Sequence, residues 1–161
     1  MARSEIRPDT MPDNTFFPPS TGRSLPIALL RARETVMAQF RPILARHNVT
    51  EQQWRVLRVL GEVGRLDASD LAFRASLLAP SLTRILRTLD ERGLVKRQRD
   101  EKDARRSWIE IAAEGERLIA RVAPEASAVY KRIEIRFGNE RIAQLLDELE
   151  QLSDMMRQGD G

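Results

Sequence analysis

The residues best suited to chemistry lie between positions 80 and 106, and their types favour binding rather than bond-making. One helical stripe is predicted from apolar residues spaced three and four apart: Leu82, Ile85, Leu86 and Leu89. The intervening residues face outward and carry hydroxyl or guanidinium groups: Ser81, Thr83, Arg84, Arg87 and Thr88. Such groups hydrogen-bond to base edges and phosphates, and the DNA major groove admits one helix. The pattern therefore predicts a helix that reads duplex DNA, with Pro80 in its first turn and at the same surface.

A second cluster of charged residues lies between two segments that alternate apolar and polar residues. LVKRQRD and RSWIEI predict the strands of a hairpin, and the polar EKDAR between them its tip. Asp103 stands two residues before Arg105 and can fix its guanidinium by a charge-assisted pair, so that entry into a minor groove costs less rotamer entropy. We predict DNA contacts for Asp103, Arg105 and Arg106. The alternative is a solvated charged turn.

The elements that must hold these groups form a recognisable order. Asp67 to Arg74 begins with a capping residue type and has an acidic first turn, which predicts a short helix. The longer helix after it ends at Gly93. Helix, turn, helix and hairpin is a winged helix-turn-helix order, so we predict a fold that is mainly α with a small β-hairpin wing.

Charge is unevenly distributed along the chain. Between Ala79 and Arg106 there are nine Lys or Arg against five Asp or Glu, a net +4, whereas the whole chain carries +3. This concentration favours a polyanionic partner. From Gly138 to Gly161 six acids face two arginines, and this polarity would orient the molecule on DNA.

Long helices are predicted on both sides of the central segment. The helix from Ser24 to about His47 should kink or break at Pro42. Thr50 to Gln53 forms a capping box that opens the next helix. Glu114 to Arg136 is helical by its apolar spacing, with a bend expected at Pro124.

The last helix, which opens at Asn139, carries more apolar surface than so small a lobe needs to cover. Its apolar residues recur at three- and four-residue steps: Ile142, Leu145, Leu146, Leu149, Leu152 and Met156. This surplus predicts a partner helix from a second copy of the chain.

Trp54 and Arg58 lie four residues apart and project from one side of their helix, beside its core stripe. In one interpretation Trp54 is a core residue and Arg58 a solvated one. In the other they form a pocket wall, where the indole stacks on an aromatic ring and the guanidinium grips a carboxylate. The residues alone leave both open.

Several motifs together resemble the MarR family of bacterial transcription regulators. They are Leu71-Ala72, Pro80 to Arg84, Leu89 to Val95, and Asp103 to Arg106. The match runs over about Leu25 to Met156, and the Asp-x-Arg wing after Gly-Leu-Val is its most specific part. The resemblance implies a homodimer that binds a palindromic operator in double-stranded DNA.

Thr50 to Arg55 resembles one branch of that family, the repressors of homoprotocatechuate degradation operons and their relatives that sense hydroxyphenylacetates. Branch members carry Trp and Arg at the spacing of Trp54 and Arg58, which favours the pocket interpretation. Tyr130 and Ser24 match positions that line the effector pocket. The resemblance thus implies a repressor of an aromatic-acid catabolic operon, released by a small aromatic carboxylate of the homoprotocatechuate or 4-hydroxyphenylacetate type.

These predictions divide the chain into three parts. Residues 1–22 are expected to form a flexible arm, because they hold four of the eight prolines and almost no periodicity. Residues 49–112 would form the winged helix-turn-helix lobe. Residues 23–48 and 113–157 would supply the dimerisation helices.

Composition narrows the class of protein further. The 161 residues contain no cysteine, which excludes disulfides, zinc fingers and a thiol redox sensor, and the single histidine, His47, cannot form a metal site alone. We expect no cofactor. No apolar run approaches the roughly 18 residues of a membrane span, and residues 1–20 do not resemble a signal peptide, so we expect a cytoplasmic protein.

Two other classes compete with a ligand-responsive regulator. An architectural DNA-binding protein without an effector would bind operator and random DNA about equally. An enzyme is disfavoured, because the sequence has no glycine-rich phosphate loop and its acids stand singly on helix faces.

Overall fold

The computed structural model describes residues 23–100, 103 and 106–158. The chain divides into two compact units, with the boundary between Met37 and Ala38. The arm expected over residues 1–22 and the wing residue Arg105 lie outside the described residues.

Six helices and three strands follow one another in the described chain, and they confirm the predicted fold class. The helices are α1 (Leu25–Arg46), α2 (Glu51–Val63), α3 (Ala68–Arg74), α4 (Ala79–Glu91), α5 (Ala113–Phe137) and α6 (Asn139–Gln158). The strands are β1 (Leu66–Asp67), β2 (Val95–Arg99) and β3 (Ser107–Ile111). None of the described helices is long and apolar enough to cross a membrane.

The helix starts follow local hydrogen bonding that the sequence already indicated. The Thr50 hydroxyl accepts from the backbone N–H of Gln53, whose side chain accepts from the Thr50 N–H, so the predicted capping box opens α2. The Asp67 carboxylate caps α3 by accepting from the Asp70 N–H at 2.9 Å. Pro80 lies in the first turn of α4, where its missing N–H costs nothing.

The wing is a three-stranded antiparallel sheet in the order β1-β3-β2, not a two-stranded hairpin alone. Leu66 pairs with Ile109 and Asp67 with Trp108 to add the short β1 strand. The sequence analysis missed β1, since two residues are too few to show alternation. Its pairing ties the start of α3 to the wing.

The core of the larger unit is apolar and includes buried residues from α2, α3, α4 and all three strands. Phe40, Ile43 and Leu44 from the end of α1 are buried, as is the predicted α4 stripe of Leu82, Ile85, Leu86 and Leu89. Complete burial of side chains such as Leu57, Leu60 and Leu71 contributes about 1.5–3 kcal/mol each. The α4 stripe therefore fixes which face of that helix points outward.

Neither interior proline interrupts its helix. α1 continues through Pro42 to Arg46, so it does not break there, and a kink at Pro42 stays a prediction. α5 continues through Pro124 to Phe137, and the expected bend at Pro124 likewise stays a prediction. Packing compensates for the lost backbone bond at Pro42, because buried side chains lie on both sides of it. At Pro124 the next residue, Glu125, is held by Arg46 and by His47 at 3.1 Å, and these bonds lower the pKa of the Glu125 carboxyl, Arg46 having the larger effect.

The wing and α5 meet at a point too narrow for a side chain. A Cβ added at Gly115 would lie 2.3 Å from the Leu94 carbonyl oxygen, which already accepts from the Ala112 N–H at 3.0 Å. The glycine therefore permits the close approach of α5 to the start of β2.

We predict that Gly115→Ala lowers the free energy of unfolding by about 1–3 kcal/mol, because backbone must move to make room. Urea denaturation at a fixed protein concentration measures this. Gly61→Ala is the control, because its Cβ would meet only the ends of two side chains, Ile119 Cδ1 at 2.9 Å and Ile111 Cδ1 at 3.9 Å. Alanine also favours the helix by up to about 1 kcal/mol. Equal destabilisation by both changes would contradict the prediction.

Candidate nucleic-acid interface

The outward face of α4 and strand β2 border one shallow concavity of about 360 Å³. Four of the predicted DNA-binding residues line it together with one from β2: Pro80, Thr83, Arg84, Arg87 and Arg97. The structure thus brings together most of the predicted recognition-helix set. A concave surface lined by three guanidinium groups is complementary in charge to the phosphates of a DNA backbone.

The hydroxyl groups on α4 are already oriented by the helix. Thr83 Oγ1 donates to the Ala79 carbonyl at 3.1 Å, and Thr88 Oγ1 donates to the Arg84 carbonyl at 3.3 Å. Their hydrogens are therefore used within the helix, and the oxygens remain as acceptors for base amino groups. Thr83 is exposed, whereas Ser81 and Thr88 are half-buried.

Arg97 is a basic residue of this surface that the sequence analysis did not single out. Its partner across the sheet is the buried Ile109, and Val95, two residues earlier, is buried as well. Alternation along β2 therefore places Arg97 on the sheet face that meets α4. The run LVKRQRD contains three basic residues, and its sequence does not show which of them faces α4. The strand register places Arg97 on that face and Lys96 on the opposite one.

This surface carries unpaired positive charge. In the part of the chain that the structure describes, the guanidinium groups of Arg84 and Arg97 have no ion-pair or hydrogen-bond partner. Arg87 approaches only Glu91, at 3.8 Å and with both side chains largely exposed. Such groups can exchange water for phosphate without first breaking an internal salt bridge.

The base of the wing is organised by Asp100, a residue that the sequence analysis also missed. One carboxylate oxygen accepts from Trp108 Nε1 at 2.6 Å, and the other accepts from the Asp103 N–H at 3.0 Å. The Arg106 N–H donates to the Asp103 carbonyl, at 2.9 Å. These bonds set the path of the wing where it leaves and re-enters the sheet.

Two of the predicted wing residues can be placed. Arg106 lies 3.9 Å from the Asp67 carboxylate, and Asp103 is exposed within the turn that Asp100 holds. The pairing of Asp103 with Arg105 stays a prediction, because Arg105 lies outside the described residues.

The predicted effector residues differ in their exposure. Trp54 is 8% exposed and offers a ligand only a small part of its ring, whereas Arg58, one turn later on α2, is exposed. Tyr130 on α5 is 51% exposed, and its ring packs against Phe40 with centroids 5.0 Å apart. Ser24 belongs to the smaller unit, where its carbonyl accepts from the Ala28 N–H at 2.8 Å and starts α1.

A helix-turn-helix followed by a wing, with unpaired guanidinium groups on their common face, defines a winged helix-turn-helix DNA-binding protein. Within residues 23–100, 103 and 106–158, no group of acidic, histidine or cysteine side chains is arranged to hold a metal ion. A MarR family model matches residues 49–107. The homoprotocatechuate degradative operon repressor of Escherichia coli is 46% identical over 128 residues, covering 80% of this chain and 86% of the repressor. The chain belongs to the MarR family of transcriptional regulators, which confirms the resemblance predicted from its motifs.

Solved structures extend this comparison to the fold. A crystal structure of NadR in complex with 4-hydroxyphenylacetate is 43% identical, with a TM-score of 0.75, and the match covers 88% of this chain and 97% of that one. The transcriptional repressor CouR, bound to a 23-mer DNA duplex, is 26% identical with a TM-score of 0.74 over 82% of this chain and 94% of CouR. Both support the winged helix architecture.

We predict that Arg97→Met weakens binding to operator and to unrelated DNA by similar factors of roughly ten, because it removes a phosphate contact. The slope of log affinity against log salt concentration should fall by about one. Fluorescence anisotropy with labelled duplexes at several salt concentrations measures both quantities.

Lys96→Met is the matched control for Arg97→Met. It removes the same charge from the neighbouring position of β2, on the opposite face of the sheet, where its cross-strand partner is Glu110. An unchanged salt slope for Arg97→Met, or an equal fall for Lys96→Met, would contradict the assignment of Arg97 to the interface.

Proposed function

We propose that this protein is a homodimeric, sequence-specific repressor of an aromatic-acid catabolic operon, released from a palindromic operator by a small aromatic carboxylate. The observation that carries the DNA-binding part is the concavity shared by α4 and β2, with Arg84 and Arg97 unpaired at its edge among the described residues. The name of the Escherichia coli relative supports the operon class.

DNA binding would use two contacts with different tasks. α4 would enter the major groove, where Ser81, Thr83 and Arg84 near its N-terminal half reach base edges. The wing would lie along the adjacent minor groove, with Arg105 inserted and Arg106 at the backbone. Arg87 and Arg97 would fix the register of the protein on the duplex through phosphate contacts. The structure of CouR bound to a 23-mer DNA duplex supports duplex DNA as the partner.

A dimer would place two such surfaces on one duplex. α6 has no buried residue, and its apolar face remains open, with Leu146 60% exposed and Met156 69% exposed. We assign residues 23–48 and 113–157 to the dimer interface and residues 49–112 to the DNA-binding lobe. A two-fold dimer would set the recognition helices one DNA turn apart, roughly 34–36 Å, to match a palindrome.

We predict that Leu149→Asp produces a monomer or an unfolded chain, because it sets a charge in the middle of the α6 apolar face. Sedimentation equilibrium and circular dichroism distinguish these two states. Gln151→Asp, which adds the same charge at an exposed position of the same helix, should remain dimeric. A Leu149→Asp dimer with full operator affinity would refute the assignment of this face.

The effector would bind between the dimer helices and the DNA-binding lobe. Arg58 would pair with the carboxylate, and the accessible part of Trp54 would contact the ring. The hydroxyls of Tyr130 and of Ser24, the latter supplied by the other subunit, would bond polar substituents. The NadR complex with 4-hydroxyphenylacetate supports this choice of ligand. About a dozen heavy atoms at roughly −0.4 to −0.6 kcal/mol each give a dissociation constant on the order of ten to a few hundred micromolar.

Release from DNA requires only that the ligand prefers one conformation of the dimer. If that conformation no longer aligns the two recognition helices with successive grooves, a coupling of ~1–3 kcal/mol is enough. The ligand would then lower operator affinity by up to about a hundredfold without competing for the DNA surface.

We predict that Arg58→Ala stays folded and binds operator like the parent, yet loses the response to 4-hydroxyphenylacetate, because the carboxylate no longer has a charged partner. Ligand affinity should fall tenfold or more. Calorimetry with the ligand and a mobility-shift titration on the DNA upstream of the gene measure the two effects.

Arg132→Ala, which removes an exposed arginine from α5, should keep the parental response. If no hydroxyphenylacetate or hydroxybenzoate gives heat with the parent, or if Arg58→Ala responds normally, the pocket assignment is wrong while the DNA-binding proposal stands.

The competing architectural function makes a different prediction for the same titration. A protein of that class would bind operator and a scrambled duplex with a ratio near one and ignore all ligands. The named relatives are regulators, and we propose no catalytic activity for this chain. Repression of a chromosomal operon would require a cytoplasmic location.

A further inference from the structure

The turn between α3 and α4 depends on a side chain from a third helix. Arg55 on α2 donates through Nη1 to the Ala75 carbonyl at 3.0 Å and to the Ser76 carbonyl at 3.3 Å. Both acceptors lie in the four residues that separate the end of α3 at Arg74 from the start of α4 at Ala79. The half-buried guanidinium therefore connects α2 directly to the segment that leads into the recognition helix.

Apart from the packing of the buried Ala75, few interactions among the described residues hold the turn. Ser76 has a φ of 51°, a left-handed conformation that side-chain-bearing residues adopt at a cost. The described backbone bonds across the turn run from Ser76 to the Phe73 carbonyl at 3.1 Å and from Leu77 to the Ala72 carbonyl at 2.9 Å. These hydrogen bonds satisfy carbonyl groups at the end of α3. The Ala75 and Ser76 carbonyls of the turn accept from Arg55 instead.

The start of α4 is not fixed by its own cap. Leu78 occupies the N-cap position, where it has no side-chain hydrogen bond to the helix, and it is 77% exposed. The first residue of the buried stripe, Leu82, lies a full turn further on. The N-terminal end of α4 is thus the end that packing holds least, and it carries the residues proposed to read bases.

We infer that Arg55 is a positioning residue for operator recognition: by holding the Ala75 and Ser76 carbonyls from α2, it sets the orientation of the N-terminal end of α4. It touches no DNA in this role. The inference rests on the proposed sequence-specific DNA binding and names a residue outside the DNA surface on which specificity depends.

The test compares specific with nonspecific affinity. Arg55→Met keeps the apolar stem and removes the donors. Dissociation constants are measured by fluorescence anisotropy for a duplex from the DNA upstream of the gene and for a scrambled duplex of equal composition, at several salt concentrations. We expect the ratio of specific to nonspecific affinity to fall about tenfold, nonspecific affinity to change less than threefold, and the salt slope to stay constant, because no phosphate contact is lost.

Two further variants separate this role from charge and from general stability. Arg55→Lys should recover most of the ratio, because one ammonium has enough donors for both carbonyls. Arg74→Met removes a positive charge beside the turn. The Arg74 side chain is exposed and has no hydrogen-bond partner in the described ranges, so this change should leave the affinity ratio unchanged. Circular dichroism checks folding, and Arg55→Leu, which also lacks donors, replaces Arg55→Met with the same expectations if the latter does not fold.

Three results would overturn the inference. A parental ratio in the folded Arg55 variant would show that the bonds do not orient α4. An equal loss on both duplexes with a salt slope reduced by about one would make Arg55 a phosphate contact, and an equal loss with an unchanged slope would make it a general stabiliser. A parent whose own ratio is near one would refute the proposed function itself, and the inference with it, so the parent measurement distinguishes the two failures.

Discussion

The burial of one apolar stripe on α4 is the constraint on which the rest of the DNA surface depends. Leu82, Ile85, Leu86 and Leu89 leave α4 no freedom to rotate about its axis without exposing several large side chains, each worth about 1.5–3 kcal/mol. The opposite face is therefore presented to solvent in one orientation. Every polar group proposed to meet a base gets its direction from this packing.

The wing is positioned by a different kind of interaction. Register in the sheet, set by pairs such as Arg97 with Ile109, brings a basic residue of β2 to the concavity beside α4. The approach of α5 to Leu94 at Gly115, together with the bonds from Trp108 and Asp103 to Asp100, holds both ends of the wing. Two surfaces that are separate in sequence thus become one electrostatic site.

Helix α2 carries one residue for each of the two proposed activities, DNA recognition and effector binding. Its Arg55 reaches the turn before the recognition helix, and Arg58, less than one turn later, is open to solvent at the place proposed for an effector carboxylate. A ligand that shifts α2 would move the support of α4 directly. The proposed function uses groups that the described chain leaves without partners, namely the guanidinium groups of Arg84 and Arg97 and the uncovered apolar face of α6.

Local patterns in the sequence determined the helices, the hairpin, the caps at Thr50 and Asp67, and the outward set on α4, because each depends on residues within about one or two turns of one another. The family could also be identified from its motifs. Tertiary structure alone decided that β1 joins the sheet, that Arg97 rather than Lys96 meets α4, that Asp100 organises the wing, and that Arg55 holds the α3–α4 turn. The interacting residues in these cases lie up to 43 positions apart in sequence, as Leu66 and Ile109 do. A run of basic or apolar residues does not indicate which distant part of the chain it will contact. The unbroken helix at Pro42 has the same origin, since distant packing on both sides outweighs the local preference of proline.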